Sequence, residues 1–274
     1  MACTNGYSHI YLSPHLDDAA LSCGGRIWQQ SQGGEAVVVV TVFAGAPEPD
    51  VSLSSYAQRL HARWGDPVDA VEERRKENRE ALTLLGASVK NWPYRDCVYR
   101  RTPEGNYAYA SEETLWGRIH PAEGDLIQEL TGRICALPLT PQATLYVPMA
   151  VGGHVDHRIV RKAAEECGTG APRWSLTYYE DFPYAAEPGG VRAAGPSLAE
   201  DGWEAELVPL SQEALEAKMA AIARYRSQMS TFWADRAEMA ASVRAFAERR
   251  GAGRPAERYW RPTESLRTES GGST

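Results

Sequence analysis

Two short polar stretches in this chain hold the residue types of metal-assisted hydrolysis. The first is PHLDD, with His15, Asp17 and Asp18; the second is GGHVDH, with His154, Asp156 and His157. Imidazole nitrogen and carboxylate oxygen are good ligands for zinc. A catalytic zinc site takes three protein ligands and keeps one position for water. At the entry to a helix, residues three apart come to one side. His15 and Asp18 have that spacing, and so do His154 and His157. Spacing alone leaves open which aspartate binds metal and which stays free. Zinc lowers the pKa of a bound water from about 16 to about 7, and a carboxylate outside the coordination set can take its proton. A second histidine facing a carbonyl can stabilise an oxyanion or protonate a leaving amine. The two stretches together therefore hold the groups that amide hydrolysis needs. A dication between them would also offset the repulsion between the adjacent carboxylates of Asp17 and Asp18. Either stretch alone is explained as simply by a helix cap or a turn. The pair, with three of the six histidines, is the stronger signal. His9 is expected at a strand edge, and His61 and His120 in loops.

An alternation of strands and helices would position these groups. Residues 9–13 read as a strand and 18–32 as a helix ended by Gly33-Gly34. The run EAVVVVTV, with its strand over 36–43, suits a position covered on both faces. Strand, helix and strand in this order make a parallel βαβ unit. Further helices are expected at 69–85, 125–137 and 158–168, with a short one near 111–118. Further strands are expected at 89–94, 143–150 and 175–181. Residues 46–68, 97–124 and 182–205 read as loops, and 211–250 as helical. Both polar stretches fall at the carboxyl end of a strand, where open α/β sheets bind ligands. The expected fold is α/β, a Rossmann-like sheet of mostly parallel strands flanked by helices, with a helical C-terminal extension. One domain would span 1–261, and the polar tail 262–274 would be disordered.

Composition excludes several alternatives. The 274 residues carry a net charge of −7, with a sequence pI near 5.5. An acidic total speaks against broad electrostatic binding to nucleic acid or an anionic membrane, though it leaves room for a local basic groove. No stretch approaches the roughly 18 apolar residues of a membrane span, and a start without a basic stretch followed by an apolar run is not expected to act as a secretory signal. Five cysteines are scattered without a CxxC pair, which reads as reduced thiols in a cytoplasmic protein.

PHLDD followed by GGHVDH resembles the paired signatures of the LmbE-like or PIG-L zinc-dependent N-deacetylases, which remove N-acetyl groups from amino sugars. Arg74-Arg75-Lys76-Glu77 followed by Leu85-Gly86, and then Tyr94-Arg95-Asp96, extend the likeness over about residues 9–165. The resemblance implies that His15, Asp18 and His157 bind one zinc ion and that Asp17 is the general base. It makes His154 the oxyanion stabiliser and acid, and gives Asp156 the task of holding a histidine. Arg74 and Asp96 match positions that grip substrate hydroxyls. Leu16 and Val155 stand where the family pattern has proline. Gly152 stands where some members carry a tyrosine that assists at the carbonyl.

Other readings stay open at this point. An amidase acting on a larger acyl or thiol conjugate would use the same groups. A metal phosphohydrolase would commonly need two ions about 4 Å apart and more carboxylates. A sugar-binding protein with a relic site would not need all of them. Cys23-Gly24-Gly25 lacks GxGxxG, and a glycine pair there more simply allows close packing than nucleotide binding. The aromatic residues gathered over 91–118 would either stack on sugar or pack the loop. Glu180 and Asp181 could line the pocket, and Arg226 or Gln228 could reach back to it.

Overall fold

The computed structural model describes residues 6–65, 69–169, 174–193 and 202–263. The apolar stretch before the first motif is strand β1 (Tyr7–Ser13), and Asp18 opens helix α1 (Asp18–Gln32). Strand β2 (Val37–Thr41) is buried at every position, as its unbroken valines require. Helices α2 (Ser55–Arg63) and α3 (Ala70–Leu84) lead to strand β3 (Ser88–Asn91). A single turn, α4 (Glu112–Leu115), precedes α5 (Gly124–Cys135), β4 (Leu139–Pro148), α6 (Val155–Gly168) and β5 (Ser175–Tyr179). After the short α7 (Gly190–Ala193) come β6 (Trp203–Pro209), α8 (Gln212–Ile222), α9 (Arg226–Phe232), α10 (Arg236–Arg250) and β7 (Ala256–Pro262).

The strands form one seven-stranded sheet in the order β3-β2-β1-β4-β5-β7-β6. β1 to β5 run parallel, and β7 lies antiparallel to both β5 and β6. Alternate side chains face opposite layers. Ile10, Leu12, Val38, Val40, Leu145 and Val147 join Leu130, Ile134, Ile159 and Val160 of α5 and α6. Tyr11, Val37, Val39 and Tyr146 join Ala20, Cys23, Ile27 and Leu82 of α1 and α3. The chain leaves β1 to one side for β2 and later returns on the other side with β4. The sheet therefore reverses its direction of growth between β1 and β4, and there the ends of two strands open a crevice.

The mostly parallel sheet flanked by helices is the expected architecture. The differences lie in its antiparallel side. The expected loop 182–205 holds the short α7 and ends in the first three residues of β6, with 194–201 outside the described residues, and the chain after α10 returns as β7. Neither strand is visible locally, because both depend on each other for pairing. The expected helical stretch 211–250 is three helices, broken at Ala223 and Trp233. The expected loop 46–68 contains α2, capped by Ser54, whose side chain accepts from the Ala57 N–H. The expected tail starts inside β7, and residues 264–274 of it lie outside those described.

Two further findings concern small residues. A Cβ on Gly24 would come within 3.0 Å of Lys218 Cγ, and one on Gly25 within 2.7 Å of Leu210. The glycine pair therefore seats α8 against α1, as the packing reading holds. Cys135 and Cys167 form a disulfide between α5 and α6. This corrects the expectation of reduced thiols throughout; Cys23 and Cys97 are free and buried.

Candidate active site

β1 delivers His15, Asp17 and Asp18 to the crevice, and β4 delivers the turn Val151-Gly152-Gly153 and the start of α6. Gly152 and Gly153 both take positive φ, 85° and 79°, a region that glycine adopts without steric cost. This turn lets His154 cap α6, with its Nδ1 accepting the Asp156 N–H at 3.2 Å. His157 then follows one turn into the helix.

The three ring systems converge. His15 lies 4.9 Å from His154 and 5.4 Å from His157, centroid to centroid. Ligating nitrogens of all three can lie within 4.8 Å of one another. Asp18 Oδ2 is 3.3 Å from His15 Nδ1 and also 3.3 Å from His157 Nε2. Ligands about 2.0–2.1 Å from a tetrahedral zinc are separated by about 3.3–3.4 Å, and this oxygen stands at that spacing from one nitrogen of His15 and one of His157. The far nitrogen of each histidine is held by a carboxylate. Asp156 Oδ2 is 3.0 Å from His15 Nε2, and Asp181 Oδ1 is 2.7 Å from His157 Nδ1. Such partners orient metal-binding imidazoles and leave the other nitrogen free for the ion. The donor set of His15, Asp18 and His157 thus fits a divalent cation.

Asp156 is fully enclosed and accepts the Cys97 N–H at 3.0 Å, while Arg100 Nη2 approaches it at 2.7 Å. Burial opposes its charge, but Arg100 and His15 outweigh burial and hold its carboxyl low. Asp17 stands beside the cluster with Arg74 Nη2 3.8 Å away. Burial, and then the neighbouring Asp18 carboxylate, push the Asp17 carboxyl up to about 6. Asp18 behaves oppositely: burial is overcome by His157 and His15, and its carboxyl is lowered. Burial disfavours charge on His157, yet Asp18 and Asp181 lift it to about 10. Burial and His15 hold His154 well below its ordinary value, so its imidazole is neutral and, with Nδ1 accepting, carries its proton on Nε2. The carboxylates thus surround a centre that demands positive charge.

All eight residues singled out in the sequence lie in or beside this crevice. Arg74 packs its guanidinium over Trp64 at 4.7 Å. With the Gln228 amide oriented to satisfy its neighbours, its oxygen accepts from Arg74 Nε at 3.3 Å and from Trp64 Nε1 at 3.2 Å. Gln228 does reach back to the site, whereas Arg226 pairs with Glu73 and Glu80 at the surface. Asp96 lies 3.7 Å from His15 Nε2 and caps a short turn through the Val98 N–H. Glu180 and Asp181, adjacent in sequence, part company. Asp181 holds His157, while Glu180 is buried against Arg250, Arg258 and Trp260. Arg100, Trp116 and Tyr184 are further site neighbours without any motif of their own. Trp116 meets His154 edge-on at 5.1 Å, and Tyr184 meets Trp116 at 5.2 Å. Of the loop aromatics, Trp116 faces the crevice, while Trp92, Tyr99 and Tyr109 pack within hydrophobic clusters.

Fold and cluster define a class: an α/β protein whose ligand site lies where its parallel sheet reverses order. Comparison with known proteins narrows this. The GlcNAc-PI de-N-acetylase (PIG-L) family matches residues 10–167, and the chain belongs to that family. The 2'-N-acetylparomamine deacetylase of Niallia circulans is 26% identical over 242 residues, covering 84% of this chain and 83% of its own. Teicoplanin deacetylase Orf2 in its zinc-inhibited form is 29% identical, with a TM-score of 0.76 over 93% of this chain and 98% of that one. A deacetylase–teicoplanin complex is 30% identical, also with a TM-score of 0.76, over 93% and 99%.

Proposed function

We propose that this protein is a zinc-dependent N-deacetylase acting on an N-acetylated amino sugar, or on a glycoside that carries one. The carrying observation is the single oxygen, Asp18 Oδ2, set 3.3 Å from one nitrogen of His15 and one of His157, with both remote nitrogens tethered by carboxylates. The deacetylase relatives described above support the same reading. His15, Asp18 and His157 would hold one zinc ion per chain. Bound there, zinc supplies Lewis acidity and a water that ionises near neutral pH.

The chain's own residues supply the rest. Asp17 lies outside the donor set and next to it, so it accepts the proton of the attacking water and returns it to the departing nitrogen. The products are acetate and a free amine. His154 presents Nε2–H towards the carbonyl oxygen, where negative charge develops. Asp156 fixes the ring of His15. Arg74 balances Asp17 and, with Asp96, is assigned to the hydroxyls of the sugar. Acetate release and loss of one acetyl mass from a panel of N-acetyl glycosides test the activity, and elemental analysis tests for one zinc per chain. No acetate from any of them would overturn the reading.

A cytoplasmic location belongs to the proposal too. The buried free thiols Cys23 and Cys97 fit it, and the Cys135–Cys167 bond opposes it. Alkylation of thiols before cell lysis decides between them.

A further inference from the structure

A small cavity of about 10 Å³ has Asp17 itself in its wall. Leu21 stands four residues after Asp17 on α1, and residues at that spacing share a helix face. Ile222 at the end of α8, Met229 and Phe232 of α9, and Trp233 just beyond it close the other sides. The wall runs on towards the metal-binding cluster: Phe232 meets the Tyr184 ring at 6.4 Å, and Tyr184 meets His157 at 6.3 Å, centroid to centroid. The cavity thus lies where the carboxylate outside the donor set meets the helices of the C-terminal part.

Most of that wall is apolar. Tyr225 and Gln228 also reach it, but the Tyr225 hydroxyl donates to Asn78 Oδ1 at 2.9 Å, and the Gln228 amide oxygen accepts from Trp64 and Arg74. A space of about 10–15 Å³ admits one water-sized group, and a water placed there needs about two to four polar partners. A methyl group is only a little larger than water and needs none. It gains instead the dispersion contacts of the apolar side chains around it.

We propose that this cavity receives the methyl end of the substrate's acyl group, and that Ile222, Met229 and Phe232 set the length of acyl chain the enzyme removes. The inference rests on the deacetylase reading above and deepens it. Asp17 takes the proton of the attacking water, so the acyl carbon under attack lies next to that water. Of the substituents on this carbon, the oxygen faces His154 and the nitrogen leads to the sugar, which Arg74 and Asp96 are assigned to hold. The methyl is the group left to enter a space beside Asp17. An acetyl methyl fills that space, and each further methylene has to displace Met229 or Ile222. The bond broken and the products stay as given above. The cavity thereby separates this chain from an amidase that acts on a larger acyl conjugate.

Kinetics with one glycoside in its N-acetyl, N-propionyl and N-butyryl forms test the proposal. One methylene in an apolar pocket typically changes kcat/KM about 10- to 200-fold. The wild type should favour acetyl over propionyl by at least about tenfold, and butyryl should be slower still. Met229 is half-buried, so Met229→Ala enlarges the cavity without emptying the core. It should reduce the preference for acetyl about tenfold, at a zinc content equal to that of the wild type by elemental analysis. Ile222→Val removes one methyl from the buried end of the same wall. It should move the preference the same way by a smaller factor, and it carries the test if Met229→Ala does not fold. Equal kcat/KM for acetyl and butyryl in the wild type would overturn the inference and leave the deacetylase reading intact. So would a wild-type acyl preference in Met229→Ala, or in Ile222→Val where the first variant does not fold. Absence of acetate release from the wild-type protein with every N-acetyl glycoside would instead sink the underlying reading.

Discussion

At Asp17 burial and a neighbouring carboxylate both oppose the charge. The ordinary value of its carboxyl is 3.8, and in the folded protein it rises to about 6. Between those values the unfolded chain has lost a proton that the folded, metal-free protein keeps. Stability therefore falls as pH rises from about 4 to about 6 and stays lower above that. The difference corresponds to about 3 kcal/mol. In metal-free protein, Asp17→Asn should raise stability by about 1–3 kcal/mol at pH 8 and not at pH 4, as read by urea unfolding at both pH values. With zinc present the same variant should keep the ion and lose most turnover, while His157→Ala should lose the ion. Asp181→Asn should weaken zinc affinity about 10- to 100-fold, because it removes the carboxylate behind His157; competition with a chelating dye measures it. The pairs His15–Asp18 and His154–His157 were legible because a three-residue spacing is local, whereas the choice of Asp18 over Asp17 came from the family resemblance and not from spacing. Asp181 was only half legible. A Glu-Asp pair at a strand end says that acids are near the crevice, but the register of one residue decides which of them faces His157.

Among the elements, α8 and β7 show what local patterns could not disclose. Lys218 of α8 donates to Glu257 of β7 at 2.7 Å and to the Ser22 carbonyl of α1 at 3.0 Å. Glu257 also accepts the N–H groups of Gly25 and Arg26 and the Tyr259 hydroxyl. Lys218 and Glu257 are both almost fully enclosed, so removing one strands the other. Glu257→Ala should destabilise the protein by about 3–5 kcal/mol, measured by chemical denaturation. A loss below 1 kcal/mol would show that water reaches Lys218. The valine run of β2 could be read from the sequence because it is buried on both faces. β6 alternates half-buried and exposed residues within a Gly- and Pro-rich region, and β7 follows a helix after a short turn. Each gains its identity from long-range antiparallel pairing, which no window of sequence contains.

At the scale of the whole molecule, two long-range links tie distant parts of the chain together. The disulfide joins α5 to α6 across 32 residues of chain. A crosslink closing a loop of that length stabilises by roughly 3–4 kcal/mol in the chain-entropy account. Cys167→Ala, or reduction of the wild type, should lower the unfolding temperature and leave kcat unchanged; calorimetry with and without reductant reads the first and acetate release the second. The second link is the crevice itself. β1 and β4 are neighbours in the sheet, yet β2, β3 and their helices are threaded between them in the chain. A nascent polypeptide emerging from the ribosome thus displays one half of the cage long before it owns the other. Any ion would then clasp only a chain whose central strands have already met, and loading with metal becomes a record of completed folding.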